Sequence, residues 1–172
     1  MRVSYLYEGL LFLLLVLLQV LLLSRIALFG IVTPVMYIYF LLKLPIGRNP
    51  FHVIISGFLL GLVIDIFLNT PGMNAAATTI VAAFRGTIMN LFYERVGHDE
   101  FVPSMYNEAG VFIRFTVFTV TLHLTLLFFI ESFTLFNFLN TLLRVVTSTI
   151  VSVALILAVD SLTYKKKSGD QA

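Results

Sequence analysis

Cysteine is absent from this chain of 172 residues. That excludes disulfides, thiolate metal centres and cysteine nucleophiles, and it leaves the redox compartment open. Charge is scarce too: 12% of residues are Asp, Glu, Lys or Arg, against 59% hydrophobic residues and a mean hydropathy of +1.01. Such a chain cannot hide its apolar surface inside one small soluble domain. Polar sequence long enough for a large catalytic domain is lacking. There is no Gly-rich phosphate loop, nucleophile elbow or His-Glu zinc motif, so no enzyme activity, cofactor or metal is expected. The 11 basic residues are scattered between apolar segments and form no continuous face for nucleic acid.

What is present reads as an all-α integral membrane protein in one polytopic domain. Each bilayer crossing takes about 20 apolar residues, so the length allows about six transmembrane helices. The expected spans are 5–23, 26–42, 51–68, 75–92, 111–130 and 141–162, followed by a basic tail, 163–172. No small-residue cleavage site follows the first apolar run, since Ser24-Arg25 leads straight into another; this predicts a retained span rather than a signal peptide. Pro34 lies inside the second span and is expected to kink or break it. Between the second and third spans, KLPIGRNP (residues 43–50) reads as a loop.

Orientation follows from the basic residues. With the amino terminus in the cytoplasm, Arg2, Lys43, Arg48, Arg95 and the lysines at 165, 166 and 167 fall on the cytoplasmic side, against Arg25 alone outside. Both termini are therefore expected to be cytoplasmic. Tyr5, Tyr7, Tyr93 and Tyr164 cluster at that boundary as interface anchors.

The most diagnostic stretch runs from His52 to Ala83. Gly57, Gly61 and Asp65 recur every four residues, so on a helix they share a face where another backbone can approach closely beside an ionisable group. A carboxylate facing hydrocarbon is costly, which predicts that this face points into protein. The uncharged turn NTPGMN follows, with Pro71, Gly72 and Asn74. Asn74 is expected to cap the next helix by accepting its free amide hydrogens.

The pattern G-x-x-x-G-x-x-x-D, then a P-G turn and a small-residue helix beginning at Ala75, resembles the rod shape-determining protein MreD family. The resemblance implies a compact bundle similar to the substrate-binding subunits of energy-coupling-factor transporters. It further implies a non-enzymatic scaffold in the bacterial inner membrane that maintains cell shape during side-wall peptidoglycan synthesis. The implied partners are MreC, MreB, the glycosyltransferase RodA and a class B penicillin-binding protein. A vitamin-binding transporter subunit is the alternative, but the connections at 24–25 and 69–74 are very short for lining a pocket.

Charges inside spans carry whatever chemistry the chain has. Asp65 and Arg85 lie on helices joined by the short turn, so a pair is expected. Arg85 should be several ångströms the deeper of the two, counting about 1.5 Å per residue, so contact requires the arginine to extend or a water to bridge. Two readings stay open: an ion pair that fixes packing, and a proton or ion relay, for which the third and fourth segments offer no further acid or histidine at depth. Arg114 and Asp160 are expected to pair at one boundary, and Glu131 and Arg144 at the other. His123, mid-helix near Thr121 and Thr125, is read as hydrogen-bonded to backbone or hydroxyls rather than as a metal ligand. His98, Asp99 and Glu100 read as a solvated loop.

Overall fold

A computed structural model describes residues 5–25, 32–93, 102–132 and 138–163. It is an all-α membrane bundle: α1 (Tyr5–Leu21), α2 (Tyr39–Lys43), α3 (Pro50–Leu68), α4 (Met73–Phe92), α5 (Met105–Ser132) and α6 (Phe138–Thr163). The last four are long and apolar enough to cross a membrane, and α1 is a shorter apolar helix of 17 residues. Four of the expected spans therefore match α3 to α6 to within a few residues, save at the start of α5. That helix begins at Met105 and breaks its helical geometry at Glu108, where φ is −146°.

The second span departs from expectation. Instead of a helix over 26–42, only Tyr39–Lys43 is helical; residues 26–31 lie outside the described part. Pro34 has no amide hydrogen to give and disfavours helix in the residue before it, and residues 33–36 lie outside any helix, the Met36 carbonyl accepting only a turn bond from the Tyr39 amide at 3.0 Å. Irregular backbone at membrane depth survives only where protein satisfies it. Here four side-chain bonds do so. Gln19 of α1 donates its amide to the Pro34 carbonyl at 3.0 Å and accepts from the Met36 amide at 2.9 Å. Ser148 and Ser152 of α6 accept from the Thr33 and Val35 amides at 3.0 and 2.9 Å. The segment is the centre of the molecule: from Val35 to Leu42 no residue is more than 3% exposed.

Two polar clusters fix the sides. Glu8 of α1 accepts from Arg48 Nε at 2.9 Å and Nη2 at 2.6 Å and meets His52 Nε2 at 3.1 Å, with the Arg48 guanidinium 4.4 Å from the centre of the Tyr5 ring. Asp160 of α6 forms an ion pair with Lys43 at the end of α2. The start of α1, the start of α3 and the end of α6 consequently share one side of the bundle, so α1 and the segment 32–44 run out and back. Of the basic residues used to orient the chain, Arg2, Arg95 and the three tail lysines lie outside the described residues.

Candidate functional site

The α3–turn–α4 unit is built from the motif residues. Asn49 caps α3, accepting from the Phe51 amide at 2.9 Å, with Pro50 in the first turn, where a missing amide hydrogen costs nothing. Asn69 ends the helix in the left-handed conformation, φ 54°, one of the few non-glycine residues that adopts it readily. Gly72, at φ 79°, occupies the cap position of α4 and brings no side chain to it.

Asp65 supplies what Gly72 lacks. Reaching across from α3, its Oδ1 accepts from the Asn74 amide at 3.1 Å and its Oδ2 from the Ala75 amide at 2.8 Å. These are the second and third residues of α4, the amides that a cap side chain normally serves. The negative charge also sits at the positive end of the helix dipole. Oδ1 further accepts from Asn74 Nδ2 at 2.9 Å and from the Thr70 hydroxyl. Asp65 is only 3% exposed and faces inward, as its spacing predicts. The expectation for Asn74 is corrected: it lies within α4 and caps nothing, because the carboxylate already occupies the amides.

The two glycines do what their spacing predicts. A Cβ on Gly61 would lie 2.5 Å from both the Ala75 Cα and the Asn74 carbonyl oxygen, and one on Gly57 would lie 2.8 Å from the Ala82 Cβ. With two backbone atoms at 2.5 Å, Gly61 is the tighter of the two. The short distance between helices is what lets so short a side chain as Asp65 reach the start of α4.

Arg85 does not pair with Asp65. Its Nε donates to the Leu41 carbonyl at 2.6 Å and its Nη2 to the Leu44 carbonyl. The guanidinium thus closes the carboxyl end of α2, where carbonyls have no helical partners and a cation suits the dipole. The depth offset that argued against direct contact with Asp65 is resolved by a different partner altogether. Arg114 does not pair with Asp160 either: it is exposed and donates to the Gly110 carbonyl at 3.1 Å. Lys43 takes its place, and Asp160 also accepts from the Tyr39 hydroxyl at 2.8 Å and the Met105 amide at 2.9 Å. Glu131 and Arg144 do meet, at 3.1 to 3.2 Å.

A buried polar chain was not foreseen. The Tyr37 hydroxyl donates to Asn74 Oδ1 at 2.7 Å and lies 2.8 Å from His123 Nε2, with the two rings edge to face. Asp65, Asn74, Tyr37 and His123 therefore form one hydrogen-bonded series from α3 through α4 and the central segment to α5. His123 is bonded to a hydroxyl, though not to its neighbour Thr121, which turns back to the Val117 carbonyl. The helical spacing of polar residues on α6 (Thr141, Ser148, Ser152) and the single Gln19 in an otherwise apolar run were the signals that could have located the inward faces.

A cleft of about 300 Å³ opens beside the turn, lined by Leu62, Asp65, Asn69, Thr70, Pro71 and Gly72 among others. A second groove, about 520 Å³ and almost wholly apolar, lies between α4 and α5 around Phe84, Leu91, Phe118 and Leu122. Among the described residues no three His, Asp or Glu side chains gather in a way that would hold a metal ion. Comparison with protein-family models, curated proteins and solved structures finds no match for the chain.

Proposed function

We propose that this protein is a non-enzymatic scaffold of the MreD kind in a bacterial inner membrane, with both termini in the cytoplasm. It would bind MreC directly and, through that complex, MreB, RodA and a class B penicillin-binding protein, so holding the cell-elongation machinery together. The observation that carries the reading is the use made of the motif residues. Gly57 and Gly61 admit α4, Asp65 caps it, and Arg85 closes α2. These groups serve architecture: Asp65 and Arg85 are both engaged by backbone of a neighbouring element. The centre, where a transporter subunit would hold its vitamin, is filled by Tyr37, Ile38, Phe40 and their neighbours.

The same geometry weighs against a proton relay through Asp65. Asn74 stands between the carboxylate and Tyr37, and an amide passes a proton only through a high-energy imidic acid form. An amide in that position orders its neighbours; it does not conduct between them.

Depleting the protein in its host tests the proposal: rod-shaped cells should become round, and MreC should co-purify in mild detergent. Co-purification with a pair of ATPase subunits, with shape unchanged on depletion, would contradict it. Alkaline phosphatase should be active when fused near Gly72 and inactive after Lys167; the reverse would refute the orientation.

A further inference from the structure

Arg114 is the one cation of α5, and it stands outside the core. Among the described residues its guanidinium makes a single bond, from Nε to the Gly110 carbonyl of its own helix at 3.1 Å. No carboxylate lies three or four residues away along α5, where Gly110, Val111, Val117 and Phe118 stand. Asp160 is taken by Lys43. The side chain folds back toward the start of its helix, with Nη2 4.0 Å from where a Cβ on Gly110 would lie, as a long basic side chain does when it reaches from a span toward the membrane surface. That surface is at the end of the bundle where Asp160 holds the Met105 amide.

The apolar groove between α4 and α5 begins beside it. Phe118 and Leu122, on the α5 wall of that groove, follow Arg114 by four and eight residues, so all three share one face of the helix. The guanidinium therefore stands at the mouth. The Phe92 and Phe118 rings, 5.7 Å apart, set the level of the antiparallel α4, and Asn90, exposed on the opposite wall, lies within a turn of that level. Phe84, Ile88 and Leu91 complete the wall. A cation outermost, an uncharged amide near the mouth and hydrocarbon side chains along the length follow the order of phosphate, ester carbonyls and acyl chain in a phospholipid.

We propose that this groove is a binding site for one anionic phospholipid of the leaflet at the Asp160 end, with an acyl chain along Phe84, Leu91, Phe118 and Leu122 and the phosphate on the terminal nitrogens of Arg114. A guanidinium offers a phosphate two parallel donors, and here Nη1 and Nη2 remain after Nε is spent on Gly110. The groove volume, about 520 Å³, falls within the usual range of ligand sites, about 300–1,000 Å³. Charge selects the class of lipid. A zwitterionic headgroup brings its own cation to its phosphate, whereas an anionic one leaves net negative charge for Arg114. A second copy of the chain suits the face less well: copies in a membrane share their orientation, so a two-fold pair across the groove sets two Arg114 side chains at one depth, like charge toward like.

The chain contains no tryptophan, so Phe118→Trp puts a single fluorescent reporter in the groove of the full-length protein. In vesicles of equal parts phosphatidylglycerol and phosphatidylcholine, with bromine on the chains of one lipid or the other, quenching should show phosphatidylglycerol associating about fivefold more strongly, the effect of one basic residue at an anionic surface. Arg114→Gln in the same chain should bring the two lipids level. Because Arg114 is exposed, that change leaves the buried bonds of the bundle in place. A reporter at Ile150→Trp, on the exposed face of α6, should see no preference. Equal quenching by the two lipids with Arg114 intact would overturn the proposal and leave ordinary lipid contact. So would a preference that survives Arg114→Gln, the same preference at Ile150, or quenching by neither lipid, which would mean that protein, such as a second copy, fills the groove.

Discussion

The α3–turn–α4 unit and the segment 32–44 hold their backbones by opposite means. In the first, helices run nearly the full length their sequence predicts, and the exceptional groups bond within about ten residues: Asp65 to Thr70, Asn74 and Ala75. In the second, Pro34 interrupts the helix and the orphaned backbone groups are taken up by Gln19, Arg85, Ser148 and Ser152, as far as 117 residues away. A local motif closes on itself. A broken segment recruits whatever polar side chain the rest of the bundle can bring, and so ends at its centre.

The largest effect expected on breaking this contrast is from Arg85→Leu. Each buried backbone group left without a partner costs about 1–3 kcal/mol, and here two carbonyls, of Leu41 and Leu44, lose theirs. A fall of roughly 4 kcal/mol in unfolding free energy in detergent is expected on that basis. Because Arg85 and Asp65 share no bond, Asp65→Asn should not rescue it: the double variant should sum the two single effects to within about 0.5 kcal/mol, as independent sites do. A rescue would restore the direct ion pair.

Gln19→Leu comes next, since it orphans the Pro34 carbonyl and the Met36 amide together. A loss of about 2–4 kcal/mol is expected, and Ser148→Ala or Ser152→Ala should each cost about half as much because each frees a single amide. Equal, negligible losses at all three would mean that the segment holds itself.

On the local side, Gly61→Ala should cost about 1–3 kcal/mol, and Gly57→Ala less. The first would lie 2.5 Å from two backbone atoms, the second 2.8 Å from the Ala82 Cβ and 3.3 Å from the Thr78 carbonyl oxygen, a smaller overlap. The reverse order would mean that the helices part more easily near Asn74 than near Ala82. The smallest effect is at the Glu131–Arg144 pair, whose side chains are 40% and 30% exposed. Glu131→Gln should change stability by less than about 1 kcal/mol, and less still in high salt.

These differences explain how far the sequence could be read. The apolar lengths of α3 to α6, the inward face of Gly57, Gly61 and Asp65, and the Glu131–Arg144 contact follow from periodicity and proximity along the chain, and all were legible. The partners of Arg85, Asp160 and Tyr37 were not, because charge invites a charged partner on paper while the fold offered Arg85 two carbonyls and Asp160 a lysine from a distant segment. Asn74 was misassigned for a related reason. The cap position was identified by residue type, yet a carboxylate seven residues before Gly72 fills that role from the preceding helix.

The central claim is that residues 33–36 of the second apolar segment lie outside any helix and are held by side chains of α1 and α6. Carbon-13 chemical shifts of Thr33, Val35 and Met36 in bilayers test it most directly. Non-helical values at these residues, changing to helical ones from Tyr39 to Lys43, are the result the account predicts; helical values throughout 33–43 would contradict it.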